Sequence, residues 1–373
     1  MLIVLLVATL ALLGLALGLP RAVTAPPAFW AHLVLAVGVM SLITAAMQHF
    51  VPVLTRSRGA SPAMERLPLA MMAAGALAAL TLLGLLHWHA VSAAALAALV
   101  GAGVMIVWML KKGRAALGRP HPCLDWYVAA MGCLALGLVA AIMIPLVPEW
   151  HMQLRAFHIH VNLYGFVGLT AVGTLQVLLP TAAGLPDPGV AARLRADLKW
   201  AVAGSLALAL GKAAVLPADG ANLVAVWLGA ALWAWPLARL LAAWWRLCRA
   251  RLLALHGAEP VLTVALLGFM AALAGTLVER ENLGPLTIFL PGFLFPLVTG
   301  AAGQLAPVWT RPGQATPWHE ASRRKLTRWA GVRGLFFLTA AVLPLLGYRC
   351  AGIPALFALF WFGAVFVAWL ARD

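Results

Sequence analysis

Ten histidines stand in a chain that is 64% hydrophobic and only 10% charged, a setting in which every ionisable ring needs a reason to be present. His151, His158 and His160 share the stretch HMQLRAFHIH with Met152, His87 and His89 flank a tryptophan in HWH, and His32 opens a long apolar run. Imidazole ligates both copper and haem iron, so the grouping points to metal or haem binding. Residues two apart on a helix point in nearly opposite directions. The spacing therefore predicts His160 as the inward-facing ligand and places His158 at the rim, in the turn before the helix. Tyr164 follows one turn after His160 on the same face, as a hydrogen-bond partner or redox neighbour of a metal, or as interfacial packing. For His151 and His158 the plainer role is that of interfacial histidines solvated by headgroups.

Those residues need elements to hold them, and the elements are membrane spans. Apolar runs of about 18 to 25 residues, enough to cross roughly 30 Å of hydrocarbon as helix, fall near 2–19, 29–51, 67–86, 90–110, 126–147, 157–179, 198–216, 222–245, 260–278, 285–306, 331–347 and 353–371. The expected fold is an all-α polytopic membrane protein of twelve transmembrane helices. The N-terminal run resembles a signal peptide in ending on small residues, but it lacks a basic start and is expected to be the first helix. The net charge of +15 is a matter of topology. Of 26 Lys and Arg residues, 21 fall on one side of the twelve spans, among them Arg56, Lys111, Arg193, Arg249, Arg323 and Arg372. The other side holds Arg21, Arg155, Arg280 and Arg349, so the positive-inside rule makes both termini cytoplasmic and gives no cause to invoke nucleic acid. Six of the ten histidines then lie toward the outer face.

A repeat organises the spans. WAHLVLAVGVMSLITAAMQHFVPV, HVNLYGFVGLTAVGTLQVLLPT and TIFLPGFLFPLVTGAAGQLAPV run into Pro52, Pro180 and Pro307, a period of 127 to 128 residues. Twenty residues before these prolines stand His32, His160 and Thr287; seven before stand Ala45, Gly173 and Gly300. Gly165 and Gly292 match fifteen before, with Gly38 one position off. The expectation is a single membrane domain, 1–373, of three four-helix repeats, about 1–119, 120–250 and 251–373, each with its marked segment second. Gln48, Gln176 and Gln304 recur near the inner ends as interhelical hydrogen-bond partners.

Two cations add to the candidate set. Lys212 lies inside a span near its outer end, where it either snorkels toward Asp219 or anchors an anionic group such as a haem propionate. Arg280, between Glu279 and Glu281, has the same two roles open to it. The chain contains no phosphate loop, HExxH pair or serine elbow, which argues against nucleotide and hydrolase chemistry.

Twelve helices in three four-helix units, with FHIHVNLYGFVGLTAVGTLQVLLPTAAG as the sixth, resemble the catalytic subunit of haem–copper oxidases and its divergent relatives, including the NnrS family. By that resemblance His32 matches a helix-2 haem ligand, His160 a helix-6 copper ligand, and Tyr164 the tyrosine one turn beyond it. The tenth helix departs from the pattern, since Thr287 and its neighbours offer no histidine. The resemblance implies haem and/or copper held between helices 2 and 6, with His87 or His89 as added ligands, in a protein that is not a complete terminal oxidase. It implies a bacterial inner-membrane protein of nitric-oxide or respiratory stress response or of cofactor handling, with respiratory-complex subunits as partners. A cofactor-free transporter or assembly partner, and a divergent oxygen or nitric oxide reductase, are the alternatives.

Overall fold

The computed structural model describes residues 1–19, 24–218, 220–278, 284–348 and 352–372, and every regular element among them is helical. In chain order these are α1 (Leu2–Gly18), α2 (Pro27–Thr55), α3 (Pro62–Leu82), α4 (Ala90–Arg114), α5 (Cys123–Met143), α6 (Pro148–Ala182), α7 (Val190–Ala213), α8 (Ala221–Leu252), α9 (Glu259–Thr276), α10 (Leu286–Thr310), α11 (Pro317–Leu345) and α12 (Gly352–Leu370). Among the described residues ten of them, all but α1 and α7, are long and apolar enough to cross a membrane. The two others coincide with expected spans. Helix α1 is apolar throughout but only 17 residues long. Helix α7 has 24 residues, yet its first half carries Arg193, Arg195, Asp197 and Lys199, so the helix outruns its apolar stretch.

The three repeat helices share a feature that composition does not announce. Each widens into a π-helical turn, at Leu33–Val39 in α2, Val161–Val167 in α6 and Phe289–Leu294 in α10. The three turns begin 128 residues apart, and the residues directly before them are His32, His160 and Ile288. The structural counterpart of the two histidines is therefore Ile288, one place after Thr287. The third π-turn has six residues where the others have seven, so counting back from Pro307 slips by one. Pro291, which has no N–H to give to the ladder, sits inside this shorter turn.

Each widened turn is packed against the helix that precedes it: α2 against α1, α6 against α5, and α10 against α9. Missing side chains make the approach close. A Cβ on Gly165 would stand 2.6 Å from the Cβ of Cys133, and one on Gly268 would fall on the backbone carbonyl of Gly292. In lipid, where apolar side chains gain little by leaving their surroundings, such backbone proximity carries much of the association. Hydroxyls reach the carbonyls of the widened turns. Thr9 Oγ1 in α1 lies 3.2 Å from Gly38 O, and Ser205 Oγ in α7 lies 3.0 Å from Tyr164 O while accepting from Trp233 Nε1 at 2.9 Å. Gln48 Nε2 donates to Met64 O at 2.6 Å and ties α2 to α3, an interhelical bond of the kind its repeat position suggested.

Tryptophan serves two purposes. Trp88 and Trp150 are exposed, as interfacial residues would be, whereas Trp126, Trp233 and Trp244 are fully buried. The chain forms two compact units, Met1–Gly173 with Ala191–Trp233 and Thr174–Val190 with Ala234–Asp373. The division cuts α6 and α8, so the second repeat is shared between units. His32, His87, His89, His151, His158, His160, Tyr164 and Lys212 all belong to the first unit.

Candidate functional site

His32 ends the first α-helical stretch of α2, and its Nδ1 lies 2.8 Å from the carbonyl of Ala28, four residues back. His160 repeats the arrangement one period later, with Nδ1 2.8 Å from Ala156 O. A carbonyl can only accept, so both rings carry their proton on Nδ1 and leave Nε2 with its lone pair. This is the tautomer a metal-binding imidazole adopts when its other nitrogen donates to the protein. The backbone of each helix thus orients its own histidine without help from a neighbouring helix.

His158 is held differently, and it is not in a turn before the helix. It lies within the helix His151–His160, and its Nδ1 reaches across to Gly137 O of α5 at 2.8 Å. Its ring lies nearly parallel to that of His32, at 6° and 6.1 Å between centroids. The i,i+2 argument that His158 and His160 cannot share a face holds, but the ring beside His32 is that of His158 and not of His160, the inward ligand that the spacing predicts. The bond to Gly137 turns His158 toward α2, while His160 faces Tyr164, its ring 6.3 Å away and 15° from parallel. Tyr164 is 1% exposed and lies on one face with His160, one turn along, as the spacing requires.

The remaining candidates are dispersed. Lys212 lies in the last turn of α7. His87 and His89 stand exposed in the loop before α4 with ring centroids 5.1 Å apart, as a pair of their own. His151 is half-buried at the start of the α-helical part of α6. Arg280, and with it Asp219, Glu279 and Glu281, lies outside the described residues.

Two residues of the site gave little sign of themselves in the sequence. Asn162 Nδ2 donates to His158 O at 2.7 Å and lies 3.4 Å from His158 Nδ1. Gly137 supplies the carbonyl that His158 needs, and a Cβ there would collide with the Asn162 amide. An amide one turn after a histidine inside a span was the available signal for Asn162; nothing marked Gly137 among 34 glycines.

The donor set can be tested against the group it would hold. No hydrogen bond reaches Nε2 of His32, His158 or His160 among the described residues, so three lone pairs are available. Metal–imidazole bonds of about 2 Å would place the centroids of two rings bound to one ion at most roughly 6.5 Å apart, and the His32–His158 separation of 6.1 Å falls within that limit. Among the described residues no three His, Cys, Asp or Glu side chains gather tightly enough to hold a metal ion. A pair without a third donor suits haem iron, whose porphyrin fills four positions, or two-coordinate copper(I); it does not suit a tetrahedral zinc site. No family model, curated protein or solved structure matches this chain.

Proposed function

We propose that this chain is a twelve-span protein of the bacterial cytoplasmic membrane, with both termini inside, that binds haem iron or copper near its outer face through His32 and His158. His160 and Tyr164 form the adjoining wall, with Lys212 offering a cation to an anionic group. The observation that carries this reading is the near-parallel His32–His158 pair, each Nδ1 tied to a carbonyl and each Nε2 unengaged. A haem would supply one-electron chemistry or diatomic gas binding there, and copper would supply electron transfer. What the chain's own residues do is set the tautomer of the ligands and surround them with apolar helix. The resemblance to haem–copper oxidases and NnrS-like proteins accords with the repeat. The bare third repeat weighs against oxygen reduction at a two-metal centre, so the role we favour is nitric-oxide or respiratory stress response, or cofactor handling with respiratory subunits as partners.

An absorption spectrum and metal analysis of the purified protein decide the matter. A Soret band or bound copper is expected, lost in His32→Ala and His158→Ala and retained in His256→Ala, whose ring caps Trp329 N in the second unit. Absence of both signals from the native protein would overturn the cofactor reading. A second reading, a cofactor-free transporter or assembly partner, draws on the third repeat, where the same π-turn is packed with phenylalanine and needs no ligand. Solute uptake by proteoliposomes free of metal would support it.

A further inference from the structure

His158 differs from His32 and His160 in having a choice. Its Nδ1 sits between an acceptor, Gly137 O at 2.8 Å, and a donor, Asn162 Nδ2 at 3.4 Å. The orientation of the Asn162 amide is fixed independently, because the same nitrogen donates to the His158 carbonyl at 2.7 Å and only the NH₂ end can do so. Nδ1 is thus offered two exclusive bonds. With the proton on Nδ1, the ring donates to Gly137 and presents a lone pair on Nε2. With the proton on Nε2, Nδ1 accepts from Asn162 and the ring has nothing to offer a metal. Among the described residues, His32 and His160 have a single partner each at Nδ1, a carbonyl of their own helix, and no donor competing for it.

We infer that Asn162 is a positioning residue that makes His158 the releasable ligand of the pair, while His32 is the fixed one. The geometry provides for this on both sides. Asn162 lies in the widened turn of α6, one turn from His158, and Gly137 lacks the side chain that would displace the amide. The shorter distance to Gly137 makes the ligating tautomer the major form, and the amide holds the alternative ready. Once the bond from Nε2 to the group has broken, the freed lone pair takes a proton from water while Nδ1 gives its own back, with no net change of charge on the ring and a hydrogen bond available to Nδ1 in both forms. This inference rests on the pair being a metal site; the tautomer equilibrium does not.

The test is therefore made on metal-free protein. Histidine-labelled protein in detergent is examined by nitrogen-15 NMR, the His158 signals being assigned by their absence from His158→Gln. Native protein is expected to show both tautomers. Asn162→Ala, which removes the donor, and Asn162→Asp, which replaces it with an acceptor of nearly the same shape, are expected to show the Nδ1–H form alone. In protein loaded with copper(I) or haem, both substitutions should slow loss of the group to a competing chelator or to apomyoglobin by up to about 2-fold, because a ligating form that is already the major one can gain no more than that in population. A single Nδ1–H tautomer in native protein, or a mixture unchanged by both substitutions, would overturn the inference. Failure to bind copper or haem, with the tautomer shift intact, would instead remove the function proposed for the pair.

Discussion

The π-turns of α6 and α10 begin at corresponding places in the second and third repeats and lead to opposite interiors. In α6 the turn follows His160 and carries Asn162 and Tyr164, so polar groups converge on it from within the helix and from α5 and α7. In α10 it follows Ile288, and Phe289 and Phe293 close on Phe269 of α9 with centroids 6.2, 4.7 and 4.9 Å apart in edge-on contacts. The backbone explains why a histidine would be oriented in one and not the other. His160 sits ten residues into its α-helical segment and can bond the helical carbonyl of Ala156. Helix α10 begins only at Leu286, so the residue four places before Ile288, Gly284, lies ahead of the helix and offers no helical carbonyl to a ring there. The widened turn is an architectural element shared by all three repeats. A ligand site needs in addition a helix long enough upstream to orient the ring.

Removing the aromatic centre of the third repeat should have the largest effect. Phe269→Ala opens a cavity among fully buried rings and is expected to cost about 3 to 5 kcal/mol of stability, read as earlier thermal unfolding in detergent, with the spectrum of any bound group unchanged. A spectral change would mean the two regions are coupled. Next, His158→Ala or His32→Ala should weaken binding of haem or copper by at least about 100-fold, roughly 2.7 kcal/mol, because either change leaves a single imidazole. Equal retention in both variants would break the comparison at its functional end. Ile288→His tests the backbone argument: the ring enters an apolar setting without its carbonyl, so a loss of about 1 to 3 kcal/mol is expected with no gain in metal per chain. Binding of an additional equivalent would show that α10 lacked only the side chain. The smallest effect is expected from Thr9→Val, which removes the hydroxyl reaching Gly38 O in the first repeat and should cost about 1 kcal/mol.

The helices were legible because their signal is local and additive. Runs such as LIVLLVATLALLGLALG and GIPALFALFWFGAVFVAWL announce helices by composition, and the repeated prolines set the period. Helix α7 starts at Val190, ahead of the apolar run expected from 198, because Arg193 and Arg195 extend it beyond its apolar stretch. The π-turns were not legible, because no residue type demands them in α2 or α6. Among candidate residues, the His160–Tyr164 face followed from helical spacing, a relation within one helix. The His32–His158 pair did not, because it depends on a carbonyl in α5 that no property of Gly137 advertises.

The sequence by itself determined that this is a helical membrane protein with proline-ended segments 127 to 128 residues apart, and that two of these segments carry a histidine where the third carries none. Those facts reside in composition and period, which survive without knowledge of any contact. Only the tertiary structure decided which nitrogen of each ring is engaged, that His158 and not His160 lies against His32, and that Asn162 stands within reach of the same atom as Gly137. The reason is physical. A hydrogen bond between helices depends on their rotation and separation to within a fraction of an ångström, and these are set by the small residues that let backbones touch.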